Sequence, residues 1–204
     1  MDDQRATVRD GYDAMADAYD EQRRGSPSDN DALVALQESL PAASRLLDLG
    51  CGAGEGPLGF LPVERAVGLD ISTAQLRLAR ERVDAGLVAG EMTALPFPAD
   101  SFDAVTAFYS VIHLPVADHG DCYAEVARVL EPGGEFLFSI GDDWAGENDD
   151  WLETGERMAW SFPPMAETER LLENAGFTIT GRYDVHSGMD GVDWPFLRCR
   201  LDAE

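Results

Sequence analysis

Residues 45–56, Arg-Leu-Leu-Asp-Leu-Gly-Cys-Gly-Ala-Gly-Glu-Gly, constrain the fold more than any other stretch. Leu46, Leu47 and Leu49 form an apolar run too short for a helix, and turn residues bound it at once. Glycines then alternate at Gly50, Gly52, Gly54 and Gly56. Such a loop reaches backbone angles closed to other residues and lets a ligand approach the main chain. A buried strand feeding it, with a helix behind, is the nucleotide-binding corner of an α/β sheet. A dinucleotide fold wants G-x-G-x-x-G directly after the strand. Counting from Gly50 the third position is Glu55, and from Gly52 it is Pro57. Gly54, Gly56 and Gly59 match the spacing but start too far past the strand. A carboxylate at Glu55 also suits a pyrophosphate poorly. A phosphate-free ligand carrying positive charge fits better.

The motif Asp48-Leu-Gly50-Cys51-Gly52-Ala-Gly54 resembles the first motif of class I S-adenosylmethionine (SAM)-dependent methyltransferases. Other parts follow in the family's order. Tyr12-Asp13-x-x-Ala16-x-x-Tyr19-Asp20 is similar to the N-terminal helix of its small-molecule members. Gly90-Glu91-Met92 leads into Leu95-Pro96-Phe97, His113-Leu114 follows the fourth strand, and Val129-Leu130-x-Pro132-Gly133-Gly134 precedes the fifth. The resemblance covers about residues 5–185. It implies cofactor contacts at Asp48, Gly50, Cys51, Gly52 and Gly54 on the loop, and at Asp70 and Ile71 after the second strand. It implies further contacts at Glu91 and Met92 on the adenine, at Phe108, and at Tyr12 and Tyr19 closing the pocket. Where the family usually has Asp, this chain has the longer Glu91.

Asp70 stands 20 residues past Gly50, the spacing at which a carboxylate on the neighbouring strand reaches a ribose diol. A helix cap is its other reading. Tyr12 and Tyr19, seven apart, share one face of a helix read over 4–24. They either pack on the core or cover the cofactor.

The chain has 204 residues, enough for one domain with a full core. We expect one α/β domain over 1–204. Its sheet is Rossmann-like, seven-stranded and mostly parallel, with an antiparallel last strand and helices on both faces. Residues 1–41 form an N-terminal helical cap. Residues 142–164, acidic but rich in aromatics and without a clean period, are a substrate lid or a roof on the core.

The balance of 15 basic and 39 acidic residues gives a net charge of −24, and every basic residue is Arg. That surface repels nucleic acid and anionic membranes. It answers either to a basic partner or to a high-salt cytoplasm, and the spread of the acids along the chain favours the second. No apolar run is long enough to span a bilayer, so a cytoplasmic protein is expected, and the resemblance implies a small-molecule substrate. Cys51, Cys122 and Cys199 make no C-x-x-C pair, and the three histidines add no ligand spacing, so no metal is expected.

Methyl transfer from a sulfonium is an in-line displacement, in which the protein mainly positions the nucleophile and excludes water. Where a base is needed, His113 is the first candidate and Tyr109 the second. A SAM-binding protein without catalysis and an NAD(P)-dependent oxidoreductase are the alternative readings.

Overall fold

The computed structural model describes residues 4–23, 31–61, 65–187 and 191–203. Three helices, α1 (Gln4–Ala14), α2 (Ala16–Arg23) and α3 (Asp31–Ser39), lead into strand β1 (Arg45–Leu49). Next come α4 (Pro57–Phe60), β2 (Arg65–Asp70), α5 (Thr73–Ala79), β3 (Gly86–Ala89) and β4 (Phe102–Ala107). Two short 3₁₀ turns, Val111–His113 and Val116–Asp118, precede α6 (His119–Val129) and β5 (Leu130–Ser139). Strands β6 (Trp144–Trp151) and β7 (Glu156–Phe162), helix α7 (Met165–Asn174), β8 (Phe177–His186) and β9 (Asp193–Leu201) complete it.

The main sheet has the order β3-β2-β1-β4-β5-β9-β8, and β6 pairs with β7 in a separate hairpin. Strands β1 to β5 pair in parallel, and β9 lies antiparallel between β5 and β8. This is the expected seven-stranded sheet with an antiparallel last strand. Its central strands are apolar on both faces, as parallel strands covered by helices must be. Leu46 joins Ala104, Leu137 and Phe196 against Leu33 and Leu36 of α3. Leu47 joins Val105, Phe136 and Phe138 against Tyr123, Val126 and Val129 of α6. The strand order reverses between β1 and β4, which opens a crevice at their carboxyl ends.

Several boundaries differ from the sequence reading. The helix expected over 4–24 bends at Met15 into α1 and α2. On a straight helix, residues seven apart are separated by about 10.5 Å of rise; here the Tyr12 and Tyr19 rings meet edge to face at 5.1 Å. The polar linker Gly25–Asn30 and the helix stop at Pro62 lie outside the described residues. Strand β4 ends at Ala107. Tyr109 turns into the left-handed region at φ 53°, and its N–H donates to Ser139 Oγ at 2.6 Å instead of extending the ladder. Helix α5 tightens after Ala79: Glu81 N–H bonds Leu78 and Arg82 N–H bonds Ala79. The turn Glu131–Gly134 is taken into β5 as an irregularity, with the register jumping between Phe102 and Ala104 and Gly133 at φ 81°.

Candidate functional site

The glycine turn is shaped by what lies against it. Gly50 and Gly52 have φ of 69° and 53°. A Cβ on Gly50 would stand 2.3 Å from Ser110 Cβ, so no larger residue fits. Ser110 Oγ in turn donates to Leu49 O at 2.8 Å, tying the tip of β1 to the loop after β4.

Asp70 ends β2 beside this turn. Gly52 N–H donates to its Oδ2 and Ser72 N–H to its Oδ1, each at 2.8 Å. The two amides fix the carboxylate plane, and each oxygen keeps a second acceptor site for a ligand. Burial raises the carboxyl to about 6; the amides of Ser72 and Gly52 oppose this and Asp13 adds to it. The cap of α5 falls to Ser72, whose Oγ accepts from Gln75 N–H at 3.1 Å.

A pocket of about 720 Å³ of empty space, part of it open to solvent, lies over the turn. Of the residues expected around the cofactor, Tyr12, Tyr19, Gly50, Gly52, Asp70 and Ile71 line it, as do Glu91, Met92 and Phe108. Tyr109 and His113 line it as well. Asp48, Cys51 and Gly54 do not. Asp48 lies beneath the turn at 1% exposure, with Oδ1 accepting from Thr106 Oγ1 at 2.7 Å and Oδ2 without a hydrogen-bond partner. Cys51 packs in the core with Leu58 and Leu76, and burial pushes its thiol far up. Gly54 lies against Val83. Glu91 is paired with Arg5 of α1 at 2.9 Å, and Arg5 also reaches Asp118 at 2.6 Å. Glu55 faces Arg82 at 3.3 Å and does not line the pocket.

Two residues went unread in the sequence. Gln75, on the first turn of α5, lines the pocket at 1% exposure, and neither its Oε1 nor its Nε2 has a partner. Its sequence signal is one amide on an otherwise apolar helix face. Asp13 was noted only as part of a motif. Its Oδ1 accepts from Ser72 Oγ at 2.7 Å and from Ala74 N–H at 3.0 Å. The N-terminal segment is thereby pinned to the start of α5.

His113 has a defined tautomer. Its Nδ1 stands 2.9 Å from the Ala159 carbonyl, which can only accept, so Nδ1 carries the hydrogen. Nε2 is then bare and accepts from the Tyr12 hydroxyl at 3.0 Å. Burial lowers the imidazole to about 4, so it is neutral at pH 7. Burial likewise holds the Tyr12 phenol well above its ordinary value, with Tyr19 and Asp70 adding to the effect. The pair joins α1 to the 3₁₀ turn after β4 at the rim of the pocket. Among the described residues no group of three or more His, Cys, Asp or Glu is placed to hold a metal ion. No helix of the described residues is long and apolar enough to cross a membrane.

Comparison with known proteins places this geometry. Residues 47–138 match the family described as a methyltransferase domain. The uncharacterized methyltransferase YcgJ of Bacillus subtilis is 31% identical over 144 residues, covering 67% of this chain and 55% of that protein. The ubiquinone/menaquinone biosynthesis C-methyltransferase UbiE of Methylobacterium nodulans is 38% identical over 115 residues, covering 52% of this chain and 45% of its own. The chain spans about half the length of the curated relatives it matches. Among solved structures, the fold is shared with the 1,6-didemethyltoxoflavin-N1-methyltransferase of Burkholderia thailandensis, solved with 1,6-didemethyltoxoflavin and S-adenosylhomocysteine bound. The TM-score is 0.74 at 19% identity, over 97% of this chain and 88% of that one. The glycine turn and the acid of the next strand thus sit inside the stretch that matches a methyltransferase domain, and this match together with the shared fold supports a class I SAM-dependent methyltransferase.

Proposed function

We propose that this chain transfers a methyl group from SAM to a small-molecule acceptor, with the cofactor held in the pocket at the tips of β1, β2 and β4. The observation that carries this reading is the one-turn helix behind the glycine loop. A pyrophosphate needs the amides and dipole of a substantial helix, and α4 has four residues and no side-chain cap. The arginine on the pocket wall, Arg5, is held by Glu91 and Asp118. What the pocket offers instead is a carboxylate for a diol, apolar walls at Leu69, Ile71 and Met92 for a purine, and the unpartnered amide of Gln75. That donor set fits a phosphate-free nucleoside. The position of Glu55 no longer argues against NAD, but the length of α4 does.

When bound, SAM supplies a methyl group on a positively charged sulfur, activated for displacement. The residues of the chain position and seal. Asp70 accepts from the ribose hydroxyls, and Gln75 satisfies a further polar group of the nucleoside. Tyr12 and Tyr19 cover the open side, so that 1–41 acts as a cap and the β6–β7 hairpin as its support over the acceptor. For an acceptor that loses a proton, Tyr12 takes it while passing its own to His113 Nε2. His113 then acts through Tyr12, and Tyr109 is the second candidate. We further propose a cytoplasmic setting at high salt for the acidic surface.

The test is binding and turnover. Calorimetry should detect S-adenosylhomocysteine and no NAD, and SAM with a library of small acceptors should release S-adenosylhomocysteine. Asp70→Ala should weaken cofactor binding about 10- to 100-fold, the part of two charged hydrogen bonds of about 1.5–3 kcal/mol each that water does not replace. Tight NAD binding without SAM binding refutes the reading. SAM binding without transfer to any acceptor would favour the non-catalytic alternative.

A further inference from the structure

A second cavity lies on the far side of Tyr12, Tyr19, Tyr109 and His113, and these four residues wall both spaces. All four tryptophans of the chain line it: Trp144, Trp151, Trp160 and Trp194. They come from β6, β7 and β9, far apart in sequence. Trp151 and Trp160 meet edge to face at 5.4 Å, and Trp151 stands 5.9 Å from Tyr12. The walls are therefore flat π faces and edges. Such a box takes either a planar ring or a cation.

Charge decides between them. The chain has 39 acidic residues, yet among the described residues no carboxylate lines this cavity. The one charged side chain on its described wall is Arg23, from the last turn of α2. His113 beside it is neutral. The Arg23 guanidinium lies over the Tyr109 ring, 5.3 Å from the centroid, and makes no ion pair with a described residue. A cation entering the box would meet this like charge with no acid among the described lining residues to balance it. An anion would meet a guanidinium already oriented by stacking, whose planar fork suits a carboxylate. The overall charge of −24 repels such a ligand at long range, so the local arginine is what makes the box hospitable to it.

We propose that the acceptor is a planar aromatic molecule carrying an acidic group, with its ring between the tryptophans and its anion on Arg23. This rests on the methyltransferase reading above and names the substrate class of that site. The test uses three ring probes with S-adenosylhomocysteine present: 2-naphthoate, 2-naphthamide and a naphthyltrimethylammonium salt. Calorimetry gives the affinities, and tryptophan fluorescence reports occupancy, because every tryptophan lines the cavity. The acid should bind at least about tenfold tighter than the amide, and the ammonium salt weakest. Arg23→Gln should close the gap between acid and amide, and Arg23→Lys should keep part of it. Neither variant should change S-adenosylhomocysteine affinity by more than about threefold, since Arg23 does not line the first pocket; that binding also shows the variants are folded. Tightest binding by the ammonium salt, an acid preference that survives Arg23→Gln, or no quenching by any probe overturns the proposal. Failure of the unmodified protein to bind S-adenosylhomocysteine overturns the methyltransferase reading by itself, whatever the probes do.

Discussion

Asp48→Asn should stabilise the protein, and increasingly so as the pH rises. Asp48 is central in the sheet, on β1 between β2 and β4, at 1% exposure. Burial raises its carboxyl from an ordinary 3.8 to about 7; the Thr106 hydrogen bond offsets part of this, the Leu58 backbone adds a weaker attraction, and Asp70 pushes the other way. A folded carboxyl at about 7 binds a proton that the unfolded chain has already lost above 3.8. Stability therefore falls as pH rises from about 4 to about 7 and levels off above. The gap corresponds to about 4 kcal/mol, at about 1.4 kcal/mol per pH unit, as an upper figure. At pH 5 only the first third of that penalty has accrued, and at pH 8 nearly all of it. An asparagine keeps an oxygen for Thr106 and removes the charge. The advantage of Asp48→Asn over the parent should thus grow by about 2–3 kcal/mol between pH 5 and pH 8. Urea unfolding at both values, with S-adenosylhomocysteine absent, measures it. Because Asp48 does not line the pocket, cofactor affinity should change less than about threefold. A difference that stays flat with pH would refute the burial argument. A large affinity loss would restore Asp48 as a direct cofactor contact.

Gln75→Leu should raise the stability of the free protein by about 1–3 kcal/mol, the cost of a buried amide without partners, while weakening S-adenosylhomocysteine binding about tenfold by calorimetry; unchanged affinity would remove Gln75 from the site. Asp13→Ala should cost about 1–2 kcal/mol in denaturant titration by removing two hydrogen bonds at the start of α5, and amide exchange in residues 8–23 should quicken more than in β1. In the parent protein the same exchange should slow on adding S-adenosylhomocysteine, and exchange already slow without ligand would make α1 and α2 a fixed part of the core. The melting temperature should rise between dilute buffer and about 1 M KCl, where the screening length falls to about 3 Å; no rise would revive the basic-partner reading of the charge.

The sheet was legible because its evidence is local. Most of the parallel strands are apolar runs closed by Gly or Asp, and burial of the central ones on both faces keeps the run unbroken. The hairpin was not. Strand β6 reads Trp-Ala-Gly-Glu-Asn-Asp-Asp-Trp and is exposed along almost its whole length, so no alternation is written in it. Strand β7 buries Met158 and Phe162 on one face and Ala159 and Ser161 on the other, so it carries no alternation either. The bend at Met15 was hidden for the opposite reason. The stripe of Val8, Tyr12, Met15 and Tyr19 keeps helical spacing through it, while Gly11 approaches β7 so closely that a Cβ would stand 2.8 Å from the Arg157 carbonyl.

The same division runs through the site. The cofactor half is drawn from the glycine turn, Asp70 and Gly90–Met92, each a short contiguous stretch whose residue types state their task. The acceptor half joins α1, the 3₁₀ turn at His113, the hairpin and β9, and nothing in any one of them announces the others. Physical strain marks the seam. Tyr109 takes a left-handed angle, Asp48 and Asp70 hold raised carboxyls, Gln75 lacks partners, and the His113 imidazole is kept neutral. All of these stand at the carboxyl ends of β1, β2 and β4 or on the segments beside them. Such features persist only where the surrounding structure over-determines them. Here the determinants are the main-chain amides on Asp70, the Ala159 carbonyl on His113 and the Ser139 hydroxyl on Tyr109. Two of those three anchors come from parts that follow β4 in the chain. The hairpin that builds the aromatic box therefore also fixes, through Ala159, which nitrogen of His113 faces Tyr12. Shape of the acceptor cavity and proton state at its rim are set by one element, so a change to β7 should alter both together.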